Sequence, residues 1–309
     1  QRVRYEDLLA AGLDFSGVAI NRLGLVEART DTPVPVHVSA GNANPGQFGP
    51  GGSLEFLGQG LEQSLYTREK VYRLSVQGGA PLQARPLSGR PSGRPLDAYL
   101  GIEWIERDRN YSFASPNGDP WFDDRVLAFR APTERTFALP ASGLASDQGR
   151  LLVDLWGVTD WPEPAPDHHV QILLNGTMLV DDRFDGLTPR SYAVEIPGDT
   201  GYDFDLVHVD RYGLEARRAP SLQNGRVNLE AANRLVEVQG LRSADVAVWA
   251  RGGRVRLTDV EVVPEGPLGY RARFRAPSDQ TSGARVWVAE SGGFLRPGIE
   301  ATHQVPAAL

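Results

Sequence analysis

The chain has 309 residues, 41% of them hydrophobic, a net charge of −7 and no cysteine. Its length suits two or three domains of about 100–150 residues each. Lack of cysteine excludes disulfides, thiolate metal sites and a cysteine nucleophile within these residues. The acidic balance argues against a nucleic-acid partner, and no apolar run reaches the roughly 18 residues of a membrane span.

With 34 glycines and 23 prolines the sequence favours turns over long helices. Lys70 is the one lysine among 32 basic residues, which reads as the bias of a GC-rich genome and not as a binding surface. No signal peptide is visible at Gln1.

In chain order, Tyr5 to Gly12 is the one stretch that reads as helical, with Gly12 a natural stop. Extended segments follow around Leu23, Leu25 and Pro33 to Val38, then a glycine-rich loop from Gly41 to Gly52. This loop lacks the Gly-Lys-Ser/Thr of a phosphate loop. Ser53 to Gly58 and Val71 to Val76 alternate as strands do, and the Arg/Pro/Gly/Ser-rich run from Pro81 to Pro95 reads as a flexible link. Residues 1–95 are therefore expected to form an N-terminal β domain plus linker.

Leu151 to Thr159 then reads as a strand with one strongly apolar face, followed by a proline-rich loop from Trp161 to Pro166. Val170 to Val180 carries Asn175-Gly176 between two alternating runs, the strongest short hairpin signal, because both residues accept positive φ. Tyr192 to Ile196 and Phe204 to Tyr212 are further strands, and the spacing suits a jelly-roll sandwich over residues 96–220. After Asn224-Gly225, six short strands recur with turn signals as in an immunoglobulin-like sandwich over 221–309. The expected fold class is all-β, as tandem β-sandwich domains.

Tyr5 to Gly17, Phe48 to Gly60, Leu65 to Thr67, Val71 to Leu74, Asn117 to Phe122, Gly157 to Asp160 with Asp167 to Val170, Leu174 to Thr177, and Phe204 to Tyr212 together resemble the non-catalytic N-terminal region of gingipain-like cysteine peptidases. The ordered set covers nearly the whole chain. The resemblance implies a galactose-binding-like jelly roll and an exported bacterial protein, with a caspase-like domain beginning just after Phe294 to Pro297. No catalytic histidine or cysteine carries over onto these residues. One departure is that Ile196 runs directly into Pro197, where the family pattern has a further strand. Either residues are missing there or the domain is reduced by a strand, and the Arg85–Arg94 stretch is suspect for the same reason.

Among candidate sites, Asp119, Asp123 and Asp124 offer several carboxylates within one turn, as a calcium ion requires, although Asn-Gly-Asp-Pro is turn chemistry in its own right. Calcium is accordingly the one candidate cofactor. Asp181, Asp182 and Asp185 form a second acidic run. His168 and His169 beside Asp167 suggest metal ligands, but neighbours on a strand point to opposite faces. Trp121 and Trp161 lie in loops, where they either stack on sugars or anchor the loop to a core. No catalytic triad, Gly-x-Ser-x-Gly or His-Glu-x-x-His is present.

The expected role is a non-catalytic pro-region or accessory scaffold, extracellular or at the cell surface, whose partner is a downstream peptidase domain or another extracellular protein. The alternatives are a carbohydrate-binding or adhesive module and a structural subunit of an extracellular assembly.

Overall fold

A computed structural model describes residues 1–301 except 43, 62–63, 65, 68, 78, 80, 117, 164, 191–194, 197–203, 268 and 279–284. Strands make up 50% of the described residues and helix 4%, in several sheets consistent with tandem β-sandwiches. The α-helix is Tyr5–Ala10, as expected from its sequence. Of the departure at Ile196-Pro197, Ile196 ends a strand and Pro197 lies outside the described residues.

The chain divides into two compact units, one of Gln1–Gly60, Lys70–Tyr99 and Pro220–Leu309, the other of Leu61–Glu69 and Leu100–Ala219.

The first unit contains two large cores and a small cluster of Ala84, Ala247 and Trp249. One lies where the sheet Arg2–Arg4, Ser53–Phe56, Val36–Ser39 meets the sheet Pro33–Val34, Leu23–Glu27, Tyr72–Val76. Period-2 alternation directs Val36, Val38, Leu54, Phe56, Leu23 and Leu25 inward, and the helix adds Tyr5 and Leu8. Phe48, fully buried in the glycine-rich loop, meets the Tyr5 ring edge-on with centroids 5.8 Å apart. Burying such a side chain contributes about 1.5–3 kcal/mol, so the loop is anchored by its aromatic residue.

The second core of this unit lies between the sheet Arg226–Glu230, Arg285–Glu290, Val246–Ala250, Val255–Thr258, Arg85–Ser88 and the sheet Leu235–Leu241, Gly269–Arg275, Glu261–Glu265. Val236, Val238, Val248, Leu257, Phe274, Val286 and Val288 fill it. The stretch expected to be a flexible link is here a strand: Arg85–Ser88 pairs in parallel with Val255–Thr258. Main-chain bonds hold both of its ends, Arg85 N to Arg254 O at 2.8 Å and Gly89 N to Thr258 O at 2.7 Å. Backbone pairing at an edge needs no apolar side chains, which is why composition read this stretch as a link.

In the second unit, a sheet of Asp124–Phe129, Phe204–Arg218, Leu144–Gly157 and Pro189–Arg190, joined by Tyr99–Ile105, accompanies a sheet of Thr133–Glu134, Glu195–Ile196, His168–Leu174 and Thr177–Phe184. Val126, Ala128, Val153, Leu155, Val207 and Val209 of the first sheet pack against Val170 and Phe184 of the second. The hairpin at Asn175-Gly176 forms as its sequence requires, with φ of 50° and 83° between antiparallel strands.

Candidate functional site

The segment from Glu106 to Phe122 meets the larger sheet through Phe122, which packs on Trp156 and His208. Within it, Asn110–Tyr111 pairs antiparallel with Trp121–Phe122. Phe122 stacks on His208 with centroids 3.7 Å apart and meets Trp156 edge-on at 5.6 Å. Both aromatic residues are nearly fully buried. Burial, assisted by Arg125, pushes the His208 imidazole down to about 4, so this histidine is neutral near pH 7 and serves as a flat packing surface.

An irregularity in the ladder shapes the site. Arg211 is paired with Asp154 and Val209 with Leu155, leaving Asp210 as the extra residue of a β-bulge. Bulges re-aim side chains. Asp210 is 7% exposed, and its Oδ1 has no hydrogen-bond partner. Oxygens of Asp210, Glu106 and Asp119 all lie within 4.8 Å of one another. Burial raises the Asp210 carboxyl to about 7, with Glu106 and Asp119 adding to the rise.

Of the expected calcium ligands, the structure therefore brings only Asp119 into a carboxylate group. Asp123 is fully buried and gripped by Arg107, whose Nε and Nη2 donate at 2.8 and 2.7 Å to its two oxygens. The same Nη2 donates to the Tyr212 hydroxyl at 2.8 Å. Arg109 Nε and Asn110 Nδ2 donate to the Asp123 carbonyl at 3.2 and 3.1 Å. Asp123 is a clamp between loop and sheet, with both oxygens already used. Asp124 accepts from the Arg125 N–H at 2.9 Å and lies 3.7 Å from Arg109. Asp119 also accepts the Trp121 N–H at 3.0 Å, which sets the turn. Glu106 and Asp210 were missed because they are remote in sequence from the acidic turn. The adjacent charges Asp210-Arg211 inside an alternating strand were the available signal of a bulge.

The two histidines at the strand start point apart, as alternation demands. His168 is fully buried, with Nε2 3.1 Å from the Thr159 carbonyl and 3.6 Å from Asp167. His169 Nε2 lies 2.7 Å from Asp181, and this bond is the leading cause that lowers the Asp181 carboxyl. Asp167 accepts from the Trp161 and Gly186 N–H groups at 3.1 and 2.9 Å, joining two loops. Asp182 pairs with Arg190 at 3.1 Å. Asp181 and Asp182 have separate partners, whereas Asp185 lies beside Asp167, and burial together with its hydrogen bond to Asp167 raises its carboxyl. Trp121 is half-buried and packs edge-on against Tyr111 at 5.2 Å, inside the small sheet.

No family model and no curated protein matches this chain. Among solved structures it is similar to dimeric latent PorU from Porphyromonas gingivalis, with a TM-score of 0.54 and 12% identity, over 93% of this chain and 30% of that one. The likeness is one of fold. The chain thus corresponds in architecture to less than a third of the PorU chain, and nearly all of its own length takes part. Among the described residues, no helix is long and apolar enough to cross a membrane.

Proposed function

We propose that this chain is a non-catalytic accessory region, a pro-region or scaffold, of an exported gingipain-like cysteine peptidase. The observation that carries the reading is the fold shared with latent PorU along 93% of this chain but only 30% of that protein. That proportion fits one part of a larger polypeptide. The ordered motifs from Tyr5 to Tyr212, which resemble the region preceding the peptidase domain in that family, support the same reading independently of the fold. The sandwich of the second unit is the jelly roll in this reading, and the sandwich around Phe274 is the immunoglobulin-like domain. Both act by packing and display. The absence of cysteine means no thiolate nucleophile can arise from these residues.

The parent reading frame is the first test. A caspase-like domain with a cysteine and a histidine downstream of Leu309 supports the proposal, whereas a stop codon directly after it defeats the proposal. Biochemically, the purified chain is expected to leave Arg- and Lys-directed peptide substrates intact, and thiol alkylation is expected to change nothing it does. When added to the separately produced peptidase domain, it is expected to form a complex by size-exclusion chromatography. Cleavage by the pure chain alone would remove the non-catalytic reading.

A further inference from the structure

Three carboxylates meet where three separate parts of the second unit converge. Glu106 follows the Tyr99–Ile105 strand, Asp119 lies in the turn before Trp121–Phe122, and Asp210 is the bulged residue of Phe204–Arg218. The neighbouring cations donate their hydrogen bonds to other groups, although Arg211 also acts through space on Asp210 and Glu106. Arg107 and Arg109 hold Asp123. Arg211 donates to Asp154 at 2.7 Å and lies over the Trp104 ring at 4.5 Å. Meanwhile a carboxylate oxygen of Asp210, a residue 93% removed from solvent by its 7% exposure, has no hydrogen-bond partner. A buried, unpartnered carboxylate oxygen is costly unless a proton or a cation satisfies it.

We propose that Glu106, Asp119 and Asp210 bind a calcium ion that fastens the Glu106–Phe122 segment to the sheet beneath it. The geometry suits such an ion. Oxygens on opposite sides of a calcium at about 2.3–2.6 Å are at most about 5 Å apart, and these carboxylate oxygens lie within 4.8 Å of one another. The donors are all hard oxygens, with no histidine or thiolate in the group, which favours calcium, magnesium or manganese over zinc or copper. Calcium is the best fit of these, because it accepts irregular coordination by carboxylates from distant positions, whereas magnesium demands a near-ideal octahedron and keeps its waters. The bulge gives the site its origin in the fold. Without the extra residue, the ladder would have no reason to turn the Asp210 carboxylate away from regular alternation.

This site uses one residue of the acidic turn, Asp119, and neither of the other two. That difference makes the test sharp. The intact chain, stripped with EDTA and dialysed, is titrated with calcium chloride and separately with magnesium chloride by calorimetry, and thermal melts are recorded with calcium and with chelator. Terbium, a luminescent stand-in for calcium, is added with excitation of tryptophan, since Trp121 is two residues from Asp119. One calcium per chain is expected, with a melting midpoint several degrees higher than in chelator and sensitised terbium emission that calcium displaces. Asp210→Asn and Glu106→Gln should each weaken calcium binding tenfold or more, while Asp124→Asn leaves it unchanged. In chelator, Asp210→Asn should melt no lower than the parent, because it removes a charge from the crowded group. A merely structural aspartate would give the opposite result. Glu106, partly exposed, carries the test if Asp210→Asn fails to fold. Identical midpoints in calcium and chelator with no heat of binding would overturn the proposal, as would magnesium binding without calcium binding. A full calcium response retained by both Glu106→Gln and Asp210→Asn would overturn it too.

Discussion

Glu55 accepts a hydrogen bond from Arg256, 201 positions further along the chain, at 3.2 Å, and the Glu55 side chain is only 5% exposed. On its other oxygen Glu55 receives both Nε and Nη2 of Arg2, at 3.0 and 2.7 Å. One buried carboxylate thus ties the N-terminal strand to the strand Val255–Thr258 within the first unit. Arg2 in turn lies over the Phe294 ring at 3.8 Å and donates from its main chain to the Leu295 carbonyl at 3.0 Å.

Removing this carboxylate leaves two largely buried guanidinium groups of which Arg256 loses its carboxylate partner and Arg2 keeps only the half-exposed Asp245. Breaking a buried pair by deleting one partner costs about 3–5 kcal/mol. Glu55→Ala is therefore expected to lose about 3 kcal/mol in urea unfolding. Asp245→Ala, which removes a partner of Arg2 that is 51% exposed, is expected to lose less than about 1 kcal/mol. Equal losses for the two variants would refute the assignment of Glu55 as the central group.

His37 gives the same unit a pH dependence. It sits opposite Glu55 on the neighbouring strand. Burial lowers its pKa, and Arg256 and Arg2 add to the lowering while Glu55 opposes it. The folded protein therefore takes up the proton at lower pH than the unfolded chain, whose histidine titrates near about 6.5. Between the two values the unfolded state binds more protons, so stability falls as pH drops below about 6.5 and is fully present above it. Stability measured from pH 7.5 to 5 should fall more steeply for the parent than for His37→Gln. Parallel curves would show that His37 carries no such linkage.

The Arg107–Asp123 pair should respond unequally to loss of either member. Asp123 is fully buried, whereas the Arg107 side chain is 47% exposed. Deleting the aspartate frees an arginine that water can resolvate. Deleting the arginine strands a buried carboxylate, whose remaining contact is Arg109 at 3.5 Å. Arg107→Ala is expected to cost about 3–4 kcal/mol and Asp123→Ala distinctly less. Thermal melts ranking the two in the opposite order would contradict this account.

What was legible in the sequence follows the range of the interaction. The Asn175-Gly176 turn was legible because two adjacent residues alone decide its positive φ angles. The apolar faces of Val36 and Val38, or Val207 and Val209, were legible because alternation is local. The strand Arg85–Ser88 was not, since all four of its residues are exposed and its pairing is by backbone. Glu55 with Arg256, and Asp210 with Glu106, were hidden because charge partners from distant segments leave no mark on local periodicity. Asp123 was misread for a related reason: an acidic turn looks the same whether its carboxylate faces an ion or an arginine.

The close approach of Gly157 to His168 provides the last prediction. Gly157 ends the strand Leu144–Gly157, and a Cβ built there would lie 2.2 Å from the His168 Nε2 and 2.5 Å from the Gly186 carbonyl oxygen. The histidine has little room to yield: it is fully buried, its ring lies 4.8 Å from that of Phe184, and Nε2 is 3.1 Å from the Thr159 carbonyl. Gly157→Ala must therefore shift backbone or expel the imidazole from its hydrogen bond. Overpacking of this kind costs typically 1–3 kcal/mol, and a lost buried hydrogen bond adds about 1 kcal/mol. A loss of about 2–4 kcal/mol in urea unfolding is expected. The double variant Gly157→Ala with His168→Ala should recover part of the strain, so that its loss is less than the sum of the two single losses. Additive losses, or a Gly157→Ala variant as stable as the parent, would mean that the glycine is not required by the contact with His168.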